Sequence, residues 1–333
     1  MGGAIRVIAE QAGPHRPSVT VVIPTRDRWP RLVRTALRSA LGQEGVDHEV
    51  VVVDDGSTDG TAQRLVELDE QRLRVVRHER SRGVARARNA GIAAARGEWI
   101  AFLDDDDLWS PVKLRSQLDA ARAAAAVFAY AGSVWVDDEL RFLHGHAIPD
   151  PSSLAPALIR WNVVWGGCSN VVARADVVRE LGGFDEELAQ LADWDLWIRL
   201  ALAGPAVAVE DVLVALVTHR ESMLLVDRRN VFLEFDRLVR KHDEAGARLD
   251  AAPDRALFAR WVAGGHLRAG RRVTAARTYL RGTWSTGNVV RAAGALLGPS
   301  VMRVASTVRS RFPGGRAPGH RSATEPDWLD RYR

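Results

Sequence analysis

Four consecutive aspartates, Asp104 to Asp107, follow the apolar run 99–103 and are the most chemically distinctive feature of the sequence. Adjacent carboxylates repel one another, and burying them at a strand end costs free energy unless a cation offsets their charge. Mg²⁺ and Mn²⁺ suit this task because they prefer oxygen ligands and bring phosphates with them. An acidic run is more commonly a solvated loop. The position of this run at a predicted strand end favours the metal site.

Predicted strands and helices alternate along the N-terminal half of the chain. Segments 18–23 and 49–53 are apolar and β-branched on both faces, as in buried parallel strands. Further strands are predicted at 73–76 and 99–103, and helices at about 30–43, 61–69 and 84–95. The alternation predicts an α/β fold with a mostly parallel sheet, in which ligands bind at the carboxyl ends of the strands. Asp27, Asp55 and Asp104 fall at such ends.

Six motifs resemble those of glycosyltransferase family 2, in the family's order and spacing, and the resemblance covers about residues 17–225. They are Val21–Thr25, Val52–Asp59, Gly83–Gly91, Phe102–Asp107, Gly182–Glu186 and Asp193–Leu200. The resemblance implies a GT-A (Rossmann-like) sheet flanked by helices. It also implies inverting transfer of a sugar from a nucleoside-diphosphate sugar to an acceptor hydroxyl.

The resemblance assigns the first strand ends to the nucleotide. Pro24, Thr25 and Asp27 should line its pocket. Asp55 should accept a hydrogen bond from a uracil-type N–H, since an ionised carboxylate only accepts. Helix capping is the alternative role of Asp55. This pocket favours a UDP or dTDP donor, with GDP also open.

The resemblance further places Arg88 and Asn89 near the ribose or the diphosphate. Arg86 lies two residues from Arg88 on the same predicted helix, so at most one of these arginines points inward. Within the acidic run, Asp104 would face the ribose and the metal's ligand shell. If the register shifts by one, Asp105 takes that place.

Asp106 is expected to coordinate Mn²⁺ or Mg²⁺ directly, and Asp107 to orient the neighbouring loop. His219 follows a predicted strand where the family often has a histidine near the metal and diphosphate. A purely structural histidine is the equally weighted alternative.

Asp193 is the general base that the resemblance implies, placed just before an amphipathic helix. The family often has a Glu at the position of Ala192, so only the aspartate remains here. Asp195 is the rival base, and helix capping is the structural alternative for Asp193. Trp165, Gly166 and Gly167, together with Asp195, should border the acceptor region, although a tryptophan can equally belong to the core.

Four regions are expected along the chain: a disordered lead-in at 1–16, the catalytic domain at 17–225, a basic helical appendage at 226–311 and a disordered tail at 312–333. Residues 226–333 carry 21 Lys and Arg against 10 Asp and Glu, although the whole chain has a net charge of only +4. A basic, partly amphipathic appendage can bind an anionic membrane. A solvated helical lid that helps to hold the acceptor is the equally weighted alternative.

The amino-acid composition limits the cellular compartment and the binding partners that can be expected. The single cysteine, Cys168, excludes an intramolecular disulfide and fits a reducing cytoplasm. No long apolar run or signal-peptide core is present, so a cytoplasmic protein is expected, peripheral at the inner membrane face if the appendage binds lipid. Nucleic acid is not an expected partner, because aromatic and basic residues do not interleave. The acceptor stays open among glycans, lipid-linked precursors and small molecules.

Two other functions fit the strand–helix pattern. A catalytically inactive, nucleotide-binding scaffold of the same fold would not need the intact acidic run or Asp193. A sugar nucleotidyltransferase would need a Gly-rich, Arg-containing first loop, where this chain has residues 24–27. A dinucleotide-dependent dehydrogenase is excluded because no Gly-x-Gly-x-x-Gly follows the first strand.

Overall fold

The computed structural model describes residues 5–10, 16–219, 230–282, 286–297 and 324–333. Ten strands form one sheet: β1 Ile5–Glu10, β2 Val19–Thr25, β3 His48–Asp54, β4 Leu73–His78, β5 Trp99–Phe102, β6 Leu108–Trp109, β7 Phe128–Val136, β8 Phe142–Gly145, β9 Val172–Arg174 and β10 Ala206–Val217. The helices of the same region are α1 Trp29–Arg34, α2 Ala36–Leu41, α3 Thr61–Glu67, α4 Val84–Ala94, α5 Lys113–Ala123, α6 Leu154–Arg160, α7 Ala175–Glu180 and α8 Ala192–Ala203.

The sheet is mixed, and its longest pairings are parallel. Its order is β1-β4-β3-β2-β5-β9-β7-β10-β6, with β8 paired to β7. Strands β4, β3, β2 and β5 run parallel and adjacent, so their carboxyl ends share one rim. The apolar two-sided strands of the sequence are buried throughout, because helices cover both faces of such a sheet. The predicted α/β fold with a mostly parallel central sheet is confirmed.

The first strand corrects the expected disordered lead-in. Ile5–Glu10 pairs antiparallel with β4, from Ile5 opposite His78 to Glu10 opposite Arg74. Because its Val7 side chain is exposed, this segment lacks the two-sided apolar pattern of a buried strand. Strand β4 is the outermost of the parallel strands β2 to β5, and β1 covers its unpaired edge.

The chain divides into two compact units. The first contains residues up to 158, residues 162–218 and the C-terminal segment, and it carries the whole sheet. The second contains residues 159–161 and the region that starts at His219. Its described helices are α9 Val231–Lys241, α10 Asp243–Arg248, α11 Arg255–Arg268, α12 Arg272–Gly282 and α13 Thr286–Leu297.

The core of the second unit is aromatic at one end and rich in alanine at the other. Phe258 stacks on Phe235 with ring centroids 4.2 Å apart, and Trp161 packs edge-on against Trp261 at 6.1 Å. Trp161 therefore belongs to this core. No helix among the described residues is long and apolar enough to cross a membrane.

The C-terminal segment corrects a second expectation of disorder. Asp327–Arg331 forms a 3₁₀ helix within the first unit, and Leu329 is fully buried. The Trp328 indole donates to the Val212 carbonyl at 2.7 Å, and the Tyr332 hydroxyl donates to the Trp109 carbonyl at 3.0 Å. The segment therefore packs beside the short edge strand β6, the kind of edge that proteins commonly cover. The rest of the expected tail, residues 312–323, lies outside the described residues.

Candidate active site

Side-chain bonds tie the loops at the rim of the parallel strands together. The Thr25 hydroxyl, at the end of β2, donates to Asp105 Oδ2 at 2.7 Å. Asp27 has a positive φ of 51° and accepts from the Thr58 main-chain N–H at 2.6 Å. Residues from three separate strand ends thus converge on one site, as predicted. Pro24 is buried within β2, one residue before the site.

The acidic run carries its own cation, Arg28, which sequence reasoning did not single out. Its Nη1 lies 3.1 Å from Asp105 Oδ1 and 3.2 Å from Asp106 Oδ2. Burial, and then Asp106, raise the pKa of Asp105 to about 7, while Arg28 and Thr25 oppose the shift. Asp105 is buried, with its two oxygens bonded to Thr25 and Arg28. It therefore anchors the loop instead of being available to the donor.

Asp107 holds the acidic run to two neighbouring segments. It is buried and accepts from the Ser169 hydroxyl at 2.5 Å and from the Val217 N–H at 3.2 Å. The same Ser169 oxygen accepts from the Asp104 N–H at 3.1 Å. Burial, then Asp106 and Asp104, raise the pKa of Asp107 well above its ordinary value. These contacts suit the loop-orienting role predicted for Asp107.

Arg88 connects the acidic run to the predicted base. It is buried, and its Nη2 lies 2.5 Å from Asp104 Oδ1. Burial raises the pKa of Asp193 to about 6; Arg88 opposes this shift, and Asp104 adds to it. Arg86 instead pairs with the exposed Glu186 at 2.8 Å, so only one of the two arginines points inward. Asp104, Arg88 and Asp193 form one electrostatic group.

The Asp193 carboxylate is half-buried at the first turn of α8, beside the glycines of the expected acceptor region. A Cβ at Gly167 would lie 3.4 Å from Asp193 Oδ2. Gly166 and Gly167 have φ values of 102° and 50°, in the left-handed region that favours glycine. Trp165, just before them, stacks on His146 with centroids 4.0 Å apart. A side chain at position 167 would therefore contact the Asp193 carboxylate.

Asp55 organises its own loop. It accepts from His78 Nδ1 at 2.6 Å, from the Ser81 hydroxyl at 2.7 Å, and from the Arg82 and Gly83 N–H groups. Burial alone would raise the pKa of Asp55, but these four donors lower it. All of its acceptor capacity is used in this conformation, so a nucleobase N–H would have to displace one of these donors.

Asn89 and Asp195 have structural partners. The Asn89 amide donates to the Phe184 carbonyl at 2.9 Å and accepts from the Phe184 N–H at 2.8 Å, which fastens the loop after α7. Asp195 is fully buried and paired with Arg199 at 2.6 Å. Neither side chain is directed at a ligand by these contacts. They argue against donor contact by Asn89, and against both the rival-base and the acceptor role of Asp195.

The residues at the rim fit a divalent cation only as a partial ligand set. No group of three or more His, Cys, Asp or Glu within the described ranges could form a metal cage. Mg²⁺-type sites commonly use one or two carboxylates and complete the shell with phosphates and water. Asp106 and Asp104, with side chains 16% and 34% exposed, suit that arrangement. His219 is buried and belongs to the second unit, so its metal role stays a prediction.

Comparison with known proteins now identifies the class of the first unit. Residues 20–182 match the family described as Glycosyl transferase family 2. Solved structures share the fold: Staphylococcus aureus TarS 1–349 in complex with UDP-GlcNAc has a TM-score of 0.57 at 18% identity, covering 83% of this chain and 82% of that one. Residues 20–182 therefore carry a glycosyltransferase family 2 domain, and the fold of the first unit is GT-A-like.

Individual relatives support this assignment. The succinoglycan biosynthesis protein ExoO of Rhizobium meliloti is 37% identical over 204 residues, which are 58% of this chain and 58% of ExoO. The putative teichuronic acid biosynthesis glycosyltransferase TuaG of Bacillus subtilis is 35% identical over 119 residues, 35% of this chain and 47% of TuaG. The chain thus spans about half the length of these relatives. The mannosyltransferase PcManGT of Pyrobaculum calidifontis, solved with GDP-Man and Mn²⁺, has a TM-score of 0.52 at 19% identity, covering 92% of this chain and 82% of its own.

Proposed function

We propose that this protein is an inverting glycosyltransferase that moves a sugar from a nucleoside-diphosphate sugar to an acceptor hydroxyl, with Asp193 as general base. The observation that carries the proposal is the electrostatic grouping of the Asp193 carboxylate with the buried Arg88 and its partner Asp104. Its pKa of about 6 keeps it mostly ionised at neutral pH yet basic enough to accept a proton. An inactive scaffold would have no use for a carboxylate whose pKa is raised in this way.

The donor side of the proposal uses the strand rim. Asp106, with Asp104, would hold Mn²⁺ or Mg²⁺, and the bound metal would neutralise charge that develops on the leaving diphosphate. Arg28 and Arg88 are the cationic side chains that contact these carboxylates. Both can stabilise the same developing charge. UDP, dTDP and GDP are the candidate nucleotides; TarS and PcManGT were solved with UDP-GlcNAc and GDP-Man, respectively.

The chemical step is a single in-line displacement. The acceptor oxygen forms a bond to the anomeric carbon as the bond from that carbon to the diphosphate breaks. The acceptor proton passes to Asp193, and the nucleoside diphosphate leaves. One displacement inverts the anomeric configuration. The proximity of Asp193 to Gly167 supports a base at the expected acceptor side.

For the acceptor, we propose only a chemical class. ExoO and TuaG carry names of polysaccharide biosynthesis, which favours a glycan or glycoconjugate acceptor.

We also propose that the basic helices of the second unit contact anionic lipid. Arg272 and Arg277 of α12 are exposed. Co-sedimentation with phosphatidylglycerol vesicles should fall steeply with salt, and the double change of these two arginines to Glu should reduce it. Equal binding to neutral vesicles would overturn the lipid proposal.

A nucleotide screen tests the proposed activity first. We expect at least one of UDP, dTDP and GDP, each tested with Mn²⁺, to raise the melting temperature of the protein. A ligand at 100 times its dissociation constant stabilises the folded protein by about 2.7 kcal/mol. The matching nucleotide sugars should then release nucleoside diphosphate. Pyrophosphate release from a nucleoside triphosphate and a sugar 1-phosphate would instead identify a nucleotidyltransferase. Binding with no release, across an acceptor panel, would identify the inactive scaffold.

A further inference from the structure

A row of four aromatic rings extends from the acceptor side of the site across the β7–β8 hairpin. Trp135 on β7 lies opposite His144 on β8, and their rings stack nearly parallel with centroids 5.7 Å apart. His144 meets His146 edge-on at 5.1 Å, and His146 stacks on Trp165 at 4.0 Å. We call these four side chains the aromatic row. The hairpin register and the loop before Gly166 build it.

The aromatic row begins beside the proposed base. Its inner end, Trp165, precedes Gly166 and Gly167, and a Cβ at Gly167 would contact Asp193 Oδ2 at 3.4 Å. The main chain there is fixed by Asn170, whose side-chain amide donates to the Trp165 carbonyl at 2.6 Å. The row therefore leads outward from the point where an acceptor hydroxyl would meet its base.

A closed gap beside the inner end, with no room for a water molecule, contains a buried polar group. Tyr130, Ser133, His146 and Trp165 are among its lining residues. Ser133 is only 2% exposed, and its hydroxyl has no hydrogen-bond partner among the described residues. A buried hydroxyl left unpaired costs free energy. The surrounding side chains would have to move apart before a ligand hydroxyl could reach it.

The row is partly open to solvent. His144 is exposed, while Trp135, His146 and Trp165 are half-buried. Burial, and then His144, lower the pKa of His146 to about 4, so its ring is neutral at physiological pH. A pyranose presents apolar C–H faces and polar hydroxyl edges. Aromatic faces match the former, and imidazole nitrogens match the latter.

We propose that the aromatic row is an extended acceptor subsite that binds an oligosaccharide chain, with the chain's reacting end nearest Trp165. This inference rests on the proposed glycosyltransferase function and narrows the acceptor class to a glycan of several sugar units. A small-molecule acceptor would have no use for rings as far from the base as Trp135 and His144.

Neighbouring residues of β8 provide a matched test. His144→Ala removes a ring from the row, whereas Leu143→Ala removes an exposed aliphatic side chain that takes no part in the ring contacts of the row. The probes are homo-oligosaccharides of glucose, galactose, mannose and N-acetylglucosamine, from mono- to hexasaccharides, arrayed on glass. Calorimetry with the best-bound hexasaccharide then gives the affinity of each variant.

Binding by the wild type should strengthen with chain length, and His144→Ala should weaken hexasaccharide binding about three- to tenfold. Leu143→Ala should bind as the wild type. Nucleotide affinity with Mn²⁺, measured in parallel, should be unchanged in both variants. If the nucleotides do not bind the wild type, the proposed function fails. Three results would overturn the acceptor proposal while the nucleotides still bind: no oligosaccharide binds, chain length has no effect on affinity, or the two variants bind the hexasaccharide equally well. The aromatic row would then only stabilise the hairpin.

Discussion

The Arg28 guanidinium lies 3.2 Å from Asp106 Oδ2, so an arginine holds the carboxylate expected to bind the metal. The same nitrogen is 3.1 Å from Asp105 Oδ1. A cation that enters this site must share or displace that pairing. Donor binding could draw Arg28 toward the diphosphate, since guanidinium groups pair readily with phosphate oxygens. Metal and donor would then bind cooperatively.

Arg28→Gln should therefore strengthen Mn²⁺ binding in the absence of nucleotide, by about tenfold for a lost repulsion of roughly 1.4 kcal/mol. Titration of free Mn²⁺ by electron paramagnetic resonance measures this affinity. Arg31→Gln is the matched control, because Arg31 pairs with the exposed Asp138 at 2.9 Å instead. Weaker Mn²⁺ binding by the Arg28 variant would show that this arginine supports the metal site and does not compete with it.

Asp106→Asn should abolish most of the metal-assisted gain in nucleotide affinity, because it removes an anionic ligand while keeping the side-chain size. Calorimetry with the nucleotide that the screen identifies, with and without Mn²⁺, measures the effect. Asp138→Asn serves as the control for loss of one negative charge. A variant whose affinity still depends on Mn²⁺ as in the wild type would remove Asp106 from the metal site.

The sequence was sufficient to predict the parallel strands β2 to β5 and the convergence of their ends, because buried two-sided strands and acidic strand ends are local patterns. It could not select Arg28 from the three arginines at 26, 28 and 31, since no spacing rule tells which one faces the acidic run. The donors that saturate Asp55 come from residues 78–83, after the next helix, so only the folded loop reveals them.

The C-terminal 3₁₀ helix was missed for a related reason. Its sequence is short and follows a segment rich in Gly, Pro and Arg, which predicts disorder. Its structure depends on contacts with residues that precede it by more than 100 positions, such as Val212 and Trp109. Tertiary packing thus overrides a weak local preference.

This packing makes the C-terminal segment a stabilising part of the first unit. Leu329→Ala should lower the free energy of unfolding by about 2–4 kcal/mol, because a fully buried leucine leaves a cavity. Chemical denaturation measures it, with Leu233→Ala, a change at a 66% exposed leucine, as the control. Equal stability of both variants would show that the segment does not pack in solution. Membrane-binding tests should accordingly use charge reversal, since truncation would also remove this segment.

Asp195 and Asp193 should respond to amide substitution in opposite ways. Asp195→Asn leaves Arg199 without its buried anionic partner, so stability should fall by up to about 3–5 kcal/mol. Asp193 is the reverse case, because its pKa rises from the ordinary 3.8 to about 6 in the folded protein. Its ionisation therefore lowers the stability of the fold increasingly from pH 4 to pH 6, and fully above pH 6. Asp193→Asn should therefore raise the melting temperature at pH 7 and should lose this advantage as the pH falls toward 4. Thermal melts across this pH range measure both effects.

Turnover should show the catalytic role of Asp193 directly. Because the base must be ionised, the rate of the wild type should fall as the pH drops through about 6. Asp193→Asn should cut turnover by about 10²-fold or more and should leave nucleotide affinity near the wild-type value. The product should carry the anomeric configuration opposite to the donor, as read by NMR. A retained configuration would exclude the single displacement, and near-normal turnover by a folded Asp193→Asn enzyme would exclude Asp193 as the base.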